Sequence, residues 1–404
     1  MKKAGWQPLW FILPTLLFIA VFSIWPIIQS FTYTFFDYQL NNQQKSGLYL
    51  SDRYNFDLFN ETQTYVKLFM SEDRPHVTAE ADRARIDGVL KQVDAANQQF
   101  KGKVKIQKIS SAEEKQLSAL DGRVTSVVQQ INSKYKTPNG KNLAQVIKGY
   151  KESFIKSNFI GFRGYAQALT DPRLGNALWK TTLFTVVSVF IEFVLGLFLA
   201  MIMNKAIRGQ GFIRTTSLIP WAIPTAVAAL MWSYLYDGSS GIVANFFEKI
   251  GLVGNSSDLL LSAGGAMVST IIADVWKTTP YMAILLLAGL QNIPESIYEA
   301  ADIDGANKWQ RFFRVTLPML KPAILVALLF RTLDAFRVFD LIYVLTNGGP
   351  GGATESLSLY AYKTMFGQTN FGYGSVIVML MFVCVAIIAV IFVKVLGTNL
   401  MDKN

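Results

Sequence analysis

The segment Asn292-Ile-Pro-Glu-Ser-Ile-Tyr-Glu-Ala-Ala-Asp-Ile-Asp-Gly-Ala-Asn-Lys-Trp-Gln-Arg-Phe-Phe-Arg-Val-Thr-Leu-Pro318 is a polar bridge between two long apolar runs, Ala263–Leu290 and Met319–Leu345. Asn292 with Glu295 is spaced as a capping box, and Pro294 is tolerated in a first turn, so a short helix is expected to start there. Gly305 can take the left-handed conformation that ends it, and a second short helix then runs to Pro318. Trp309, Phe312, Phe313 and Thr316 recur at the spacing of one helical face. Two short helices presenting Ala300, Ala301 and aromatic rings form either an ordinary connection or a knob that inserts into a partner's groove.

The runs flanking this bridge belong to a larger set. A bilayer core of about 30 Å needs roughly 20 apolar residues per helix, and six stretches meet that requirement: Leu9–Phe31, Leu178–Met203, Phe212–Tyr236, Ala263–Leu290, Met319–Leu345 and Tyr373–Leu396. The first follows Met1-Lys2-Lys3 as a secretory signal would, but it is too long for a signal core and no A-x-A-like site follows, so a retained helix is expected. The chain has 404 residues, of which 66 are Asp, Glu, Lys or Arg, and about 32 of these lie in the 120-residue window 41–160. The remainder is only about 12% charged, too little to solvate a water-soluble surface. An all-α polytopic membrane protein with one polar domain is expected.

One Cys (Cys384) and one His (His76) exclude disulfides within the chain, a Cys/His metal cluster and Cys–His catalysis. No metal site is expected. The net charge of +10 comes without a basic run interleaved with aromatics, so no nucleic acid is expected; the basic residues cluster at span ends, facing lipid headgroups. With the N-terminus cytoplasmic, Lys2, Lys3, Lys205, Arg208, Arg214, Lys308, Arg311, Arg314, Lys321, Lys394 and Lys403 all fall inside, against Lys249 and Lys363 in the opposite short loops. Both termini are then cytoplasmic, and the long polar segment lies outside.

That segment reads as a domain of its own, giving the organisation 1–40 (first helix and N-terminus), 41–157 (extracytoplasmic insert) and 158–404 (core with five further spans and the cytoplasmic loop 292–318). Within it, Ile86, Val89, Leu90 and Val93 mark one face of a helix over Val77–Phe100, and Leu117, Leu120, Val124, Val127, Val128 and Ile131 mark another over Ser111–Tyr135. Lys101–Ile109 alternates as a strand does, and Thr137-Pro-Asn-Gly140 reads as a turn. The insert is thus mainly helical, with α+β open. It contains no nucleophile beside a His-based activator, so an inert cap and a docking platform are the two readings.

Ionisable side chains are costly inside a bilayer unless they meet a cavity or a partner. The fourth span carries Asp274 and Lys277 on one face, continued by Thr278 and Tyr281; the fifth carries Arg331, Asp334, Arg337 and Asp340 at intervals of three. Charged, hydroxyl and aromatic groups on facing helices suit a sugar. The other reading is a set of interhelical ion pairs between subunits, and for Arg331 and Asp340 both stay open.

The spacing Glu299-Ala300-Ala301, Gly305, Val315, Leu317-Pro318 resembles the E-A-A-x3-G-x9-I-x-L-P loop of ABC importer permeases, with Val for Ile. The likeness narrows to the larger, first-type permease of maltose-like carbohydrate importers through Phe159–Tyr165, Ile219-Pro-Trp-Ala-Ile-Pro224, Trp276-Lys-Thr-Thr-Pro-Tyr281 and Leu345-Thr-Asn-Gly-Gly-Pro350. It implies six transmembrane helices of the type I importer fold, with Glu299, Ala300, Ala301, Gly305, Trp309, Phe312, Leu317 and Pro318 coupling to a cytoplasmic ATPase dimer. It also implies a second permease, an extracytoplasmic sugar-binding protein, and a sugar site at Asp274, Lys277, Thr278, Tyr281, Leu333, Asp334 and Arg337. In the maltose permease the corresponding insert is β-rich, a point of departure. No G-x-x-x-x-G-K-[ST] loop occurs, so the chain is expected to be no enzyme and to need no cofactor, ATP being bound by the partner ATPase. An ion-coupled secondary sugar carrier, titrating Asp274 or Asp334, is the rival reading. A membrane-anchored sensor needs fewer polar spans.

Overall fold

The computed structural model of the chain describes residues 7–205 and 210–401, so Lys2, Lys3, Arg208 and Lys403 of the charge argument lie outside the described residues. Two compact units result, one from Met1–Phe31, Tyr165–Gln368 and Tyr373–Asn404, the other from Thr32–Gly164 with Thr369–Gly372. In chain order the principal elements are α1 (Phe11–Tyr33), β1 (Arg53–Asn55), α2 (Phe56–Asp73), α3 (Glu80–Gln99), β2 (Ile106–Lys108), α4 (Ser111–Lys134) and β3 (Phe154–Ile155). They continue as α5 (Pro172–Asn204), the bent pair α6 (Gln210–Ala222) and α7 (Thr225–Leu235), then α8 (Ala263–Gln291), α9 (Glu295–Ile303), α10 (Lys308–Phe336), α11 (Asp340–Leu345), α12 (Leu357–Tyr362) and α13 (Phe371–Val395). Among the described residues five helices are long and apolar enough to cross a membrane, and α6 with α7 makes a sixth if the pair is one span.

In the first unit α5 packs along α8. Thr181, Thr185, Ser188, Glu192, Gly196 and Ala200 recur every three or four residues on the buried face of α5. The hydroxyls of Thr181, Thr185 and Ser188 donate to carbonyls four residues back, satisfying themselves within their own helix. At Gly196 a Cβ would sit 2.7 Å from Met282 Cγ and 3.3 Å from the Ala283 amide nitrogen, so the glycine sets how closely the two helices approach.

Two spans differ from their expected form. The stretch Phe212–Tyr236 is not one straight helix: α6 and α7 meet at 88°. Pro224 has no N–H to continue a ladder and forces Ile223 into extended backbone (φ −70°, ψ 132°). The stretch Met319–Leu345 stops at Phe336 and restarts at Asp340. Arg331, Asp334, Arg337 and Asp340 therefore do not form one continuous face: Arg331 is buried, and the other three are exposed.

The second unit has its own core, in which Tyr54, Phe56, Phe59, Phe100 and Tyr150 pack on the apolar faces of α2, α3 and α4. The expected strand Lys101–Ile109 shrinks to β2, because Gly102 and Lys105 take positive φ (86° and 61°). It pairs antiparallel with β1, which pairs antiparallel with β3, so the unit is helical with a three-stranded sheet. Helix α3 starts at Glu80 rather than Val77, after a short 3-10 turn over Arg74–His76.

Ser110 caps α4 in a full capping box with Glu113, as its Ser-Ala-Glu-Glu opening suggests. Lys103 also donates to Glu113, and this bond first, then those from the Ser110 amide and hydroxyl, hold the carboxyl down from its ordinary 4.5 to about 2.

Two outcomes follow. Gly196→Leu, by overpacking the α5–α8 contact, is expected to destabilise the detergent-solubilised chain by about 1–3 kcal/mol, read as a lower unfolding midpoint; an unchanged midpoint contradicts the contact. Because the Glu113 pKa is depressed on folding, its stabilisation is full above about pH 4.5 and fades as pH falls toward 2. Hydrogen exchange over residues 108–117 should show native protection exceeding that of Glu113→Gln at neutral pH, with the ratio shrinking through that window.

Candidate functional site

Three helices converge on one guanidinium. Arg331 of α10 is 1% exposed and donates through Nε to Glu192 Oε2 of α5 at 2.5 Å and through Nη2 to Glu192 Oε1 at 2.9 Å. The same Nη2 meets Asp274 of α8, and Nη1 reaches Asp334 one turn along α10 at 3.2 Å. Thr278 Oγ1 lies 2.7 Å from Glu192 Oε1 and 2.6 Å from the Asp274 carbonyl, its single proton serving one of the two. Glu192 is fully buried and Asp274 is 6% exposed. Two buried carboxylates therefore face one buried guanidinium, and the buried Lys277 supplies the balancing charge on the next turn of α8. A lone ion here would cost several kcal/mol, so each partner holds the others in place.

Beside this cluster lies a cavity of about 300 Å³. Asp274, Lys277 and Thr278 form one wall, Arg331, Asp334 and Arg337 another, and the α10–α11 break with Phe339 and Asp340 closes it. Trp221, at the elbow before α7, covers a further side: its carbonyl accepts from Lys277 Nζ at 3.2 Å and its ring stacks on Tyr281 at 5.5 Å. Lys277 thus keeps two N–H groups for the cavity, while Asp334, Arg337 and Asp340 offer exposed charges of both signs. Such a wall can hydrogen-bond a hydroxyl-rich molecule from several directions, with an indole nearby for ring stacking.

Of the residues expected at a sugar site, Asp274, Lys277, Thr278, Asp334 and Arg337 come together on this cavity. Tyr281 does not line it but backs Trp221, and Leu333 does not line it either: it is half-buried, its carbonyl accepting from Arg337 Nε at 3.1 Å. Arg331 pairs within its own chain, and Asp340 lines the cavity. Glu192 was not singled out from the sequence. The signal was available, since it is the lone acid in a strongly apolar span and sits on the polar and small-residue stripe of α5.

At the far end of α8 and α10, α9 and the first turn of α10 form the bridge between them. Glu299 and Ala300 are exposed, Ala301 is half-buried, and Gly305 takes φ +74° with nothing near its missing Cβ. The expected capping box is displaced: Pro294 starts α9 without a side-chain cap, and the box forms at Asn307 with Gln310. Arg311 donates to both carboxylate oxygens of Asp302 at 3.0 Å and lies over Tyr298, clamping the two pieces together. Trp309, 73% exposed, stacks on Phe313, while Phe312 and Leu317 pack inward and Pro318 is exposed. The aromatic face is therefore divided, with Trp309 and Phe313 outward and Phe312 and Thr316 inward.

The trehalose/maltose transport system permease protein MalF of Thermococcus litoralis is 45% identical over 237 residues, 59% of this chain and 79% of that protein. The trehalose transport system permease protein SugA of Mycobacterium tuberculosis is 48% identical over 239 residues, covering 59% and 75%. A bacterial ABC transporter that imports alginate shares the fold with TM-score 0.54 at 23% identity, over 59% of this chain and 84% of that one. Residues 192–401, from Glu192 through the cavity and the bridge to the end of the last span, match the family model, and the chain belongs to the family of binding-protein-dependent transport system inner membrane components.

Proposed function

We propose that this chain is one of two permease subunits of an ATP-driven importer, and that its cavity takes a sugar delivered by an extracytoplasmic binding protein. The observation that carries this reading is that the charged cavity and the exposed α9 bridge sit on the same two helices, α8 and α10. Rigid helices joined this way can convert a push at one end into a change of width at the other. Membership of the transport family sets aside the ion-coupled carrier.

The ATPase is a separate pair of chains that bind ATP, and this chain contributes no catalysis and needs no cofactor or metal. Six spans, cytoplasmic termini and an extracytoplasmic insert over 41–157 follow from the charge asymmetry of the short loops, with the core over 158–404. Among the described residues the apolar window of α1 buries nothing, which supports lipid and a second permease as its neighbours. A cavity near the lower end of the roughly 300–1,000 Å³ usual for small-ligand sites favours a mono- or disaccharide unit. Trehalose or maltose, the cargo named for the relatives, fits that class.

The test is co-purification of the tagged chain followed by transport in liposomes. Ala300→Asp or Gly305→Leu, which alter the outer surface and the left-handed turn of the bridge, should leave the chain in the membrane while lowering ATPase association or transport at least tenfold. Full transport by both variants contradicts the coupling role. Lys277→Ala, Asp334→Ala and Arg337→Ala should each reduce sugar uptake or change sugar preference with ATPase association intact. Variants that lose uptake because they no longer assemble with the second permease instead assign those residues to the subunit interface.

A further inference from the structure

A second, larger cavity, of about 930 Å³, shares no lining residue with the first. Ala263, the first residue of α8, lines it, so it opens at the end of that 29-residue helix opposite the α9 bridge, about 40 Å away at 1.5 Å per residue. Its charge is one-sided. Among the described residues Glu355 is the single acid on its wall, and Arg173 already grips both carboxylate oxygens at 2.8 Å while Lys363 stands 3.4 Å away. Burial pushes the Glu355 carboxyl up, but the bond and charge of Arg173 outweigh it and keep the acid ionised. Lys180 adds a third cation, half-buried on the same wall, and among the described residues nothing pairs with its ammonium.

The loop between α11 and α12 completes the lining. Gly351 and Gly352 hold φ of +57° and +80°, and a Cβ on either would meet nothing, so backbone conformation rather than space calls for glycine there. Among the described residues their amides donate no hydrogen bond. Two successive backbone amides with no acceptor are available to an anion, and here they share a cavity with an uncompensated lysine.

We propose that this cavity receives a carboxylate, supplied by an acidic side chain of the binding protein that docks on this end of the permease. The inference rests on the importer reading above. Charge complementarity chooses the occupant: three cations face one acid, at the end where delivery takes place and away from the transported molecule's own site. A lysine near a span end can instead reach lipid headgroups, which is the competing source of anionic charge.

The test uses the assembled transporter in phosphatidylcholine nanodiscs with its cognate binding protein. Lys180→Ala should raise the concentration of binding protein giving half-maximal ATPase stimulation about threefold to tenfold, Lys180→Glu should raise it further, and Lys180→Arg should restore it. Basal ATPase activity, maximal stimulated rate and melting temperature should stay as in the parent, and the difference should shrink as salt rises. An unchanged half-maximal concentration in Lys180→Glu overturns the proposal. So does an effect confined to discs containing phosphatidylglycerol, which assigns the cavity to lipid. Stabilisation of the parent by sodium acetate but not of Lys180→Glu, with the binding-protein response unaltered, assigns it to a free anion and also overturns the docking role. A parent complex that no binding protein stimulates removes the importer reading itself, a failure distinct from the others.

Discussion

The guanidinium of Arg331, held by Glu192 and Asp274, is the constraint on which the membrane unit depends. It is the point where α5, α8 and α10 meet through ions rather than through apolar contacts alone. Apolar packing between helices in lipid is weakly directional, because the tails are as apolar as the side chains. A buried arginine between two carboxylates instead fixes one rotational setting for each helix, since rotation by a single residue leaves a charge unpaired. That setting turns Lys277 and Thr278 toward the cavity and presents Asp334 beside it.

The backbone around the cavity is irregular for a related reason. Polar backbone at membrane depth must be satisfied by the protein itself. Where α10 ends, Ser356 Oγ donates to the Val338 carbonyl at 2.9 Å and Ser358 Oγ to the Arg337 carbonyl at 3.2 Å, so the break before α11 is held by hydroxyls from α12 and the residue preceding it. At the other break, Lys277 satisfies the Trp221 carbonyl. Both interruptions place freed backbone beside the cavity, where a charged or hydroxyl group serves it.

Much of this was legible in the sequence, and the remainder was hidden for identifiable reasons. The apolar runs follow from bilayer thickness, and the left-handed Gly305 follows from its position after Asp304. The bend before α7 was foreshadowed by Pro220 and Pro224, yet the hydropathy of the stretch masked it. The α10–α11 break carries no Gly or Pro, and the serines that satisfy its freed carbonyls lie some 20 residues away. Glu192 was overlooked because a single acid barely lowers the mean of a 33-residue apolar helix. In the insert the helices were readable from their apolar faces, whereas the sheet was not, because its strands of two or three residues are defined by partners some 50 residues or more distant.

The most direct measurement of the central constraint is a double-mutant cycle on Glu192 and Arg331, read from the unfolding midpoint of the purified chain. Arg331→Met alone strands two buried carboxylates, and Glu192→Met alone leaves the guanidinium short of a partner. Each should cost about 3–5 kcal/mol. The double variant keeps Asp274 and Lys277 in balance and should be destabilised by at least 2 kcal/mol less than the sum of the singles, a coupling within the range seen for residues in one ion network (about 0.5–3 kcal/mol). Additive losses, or single variants with the parent's midpoint, would contradict the account.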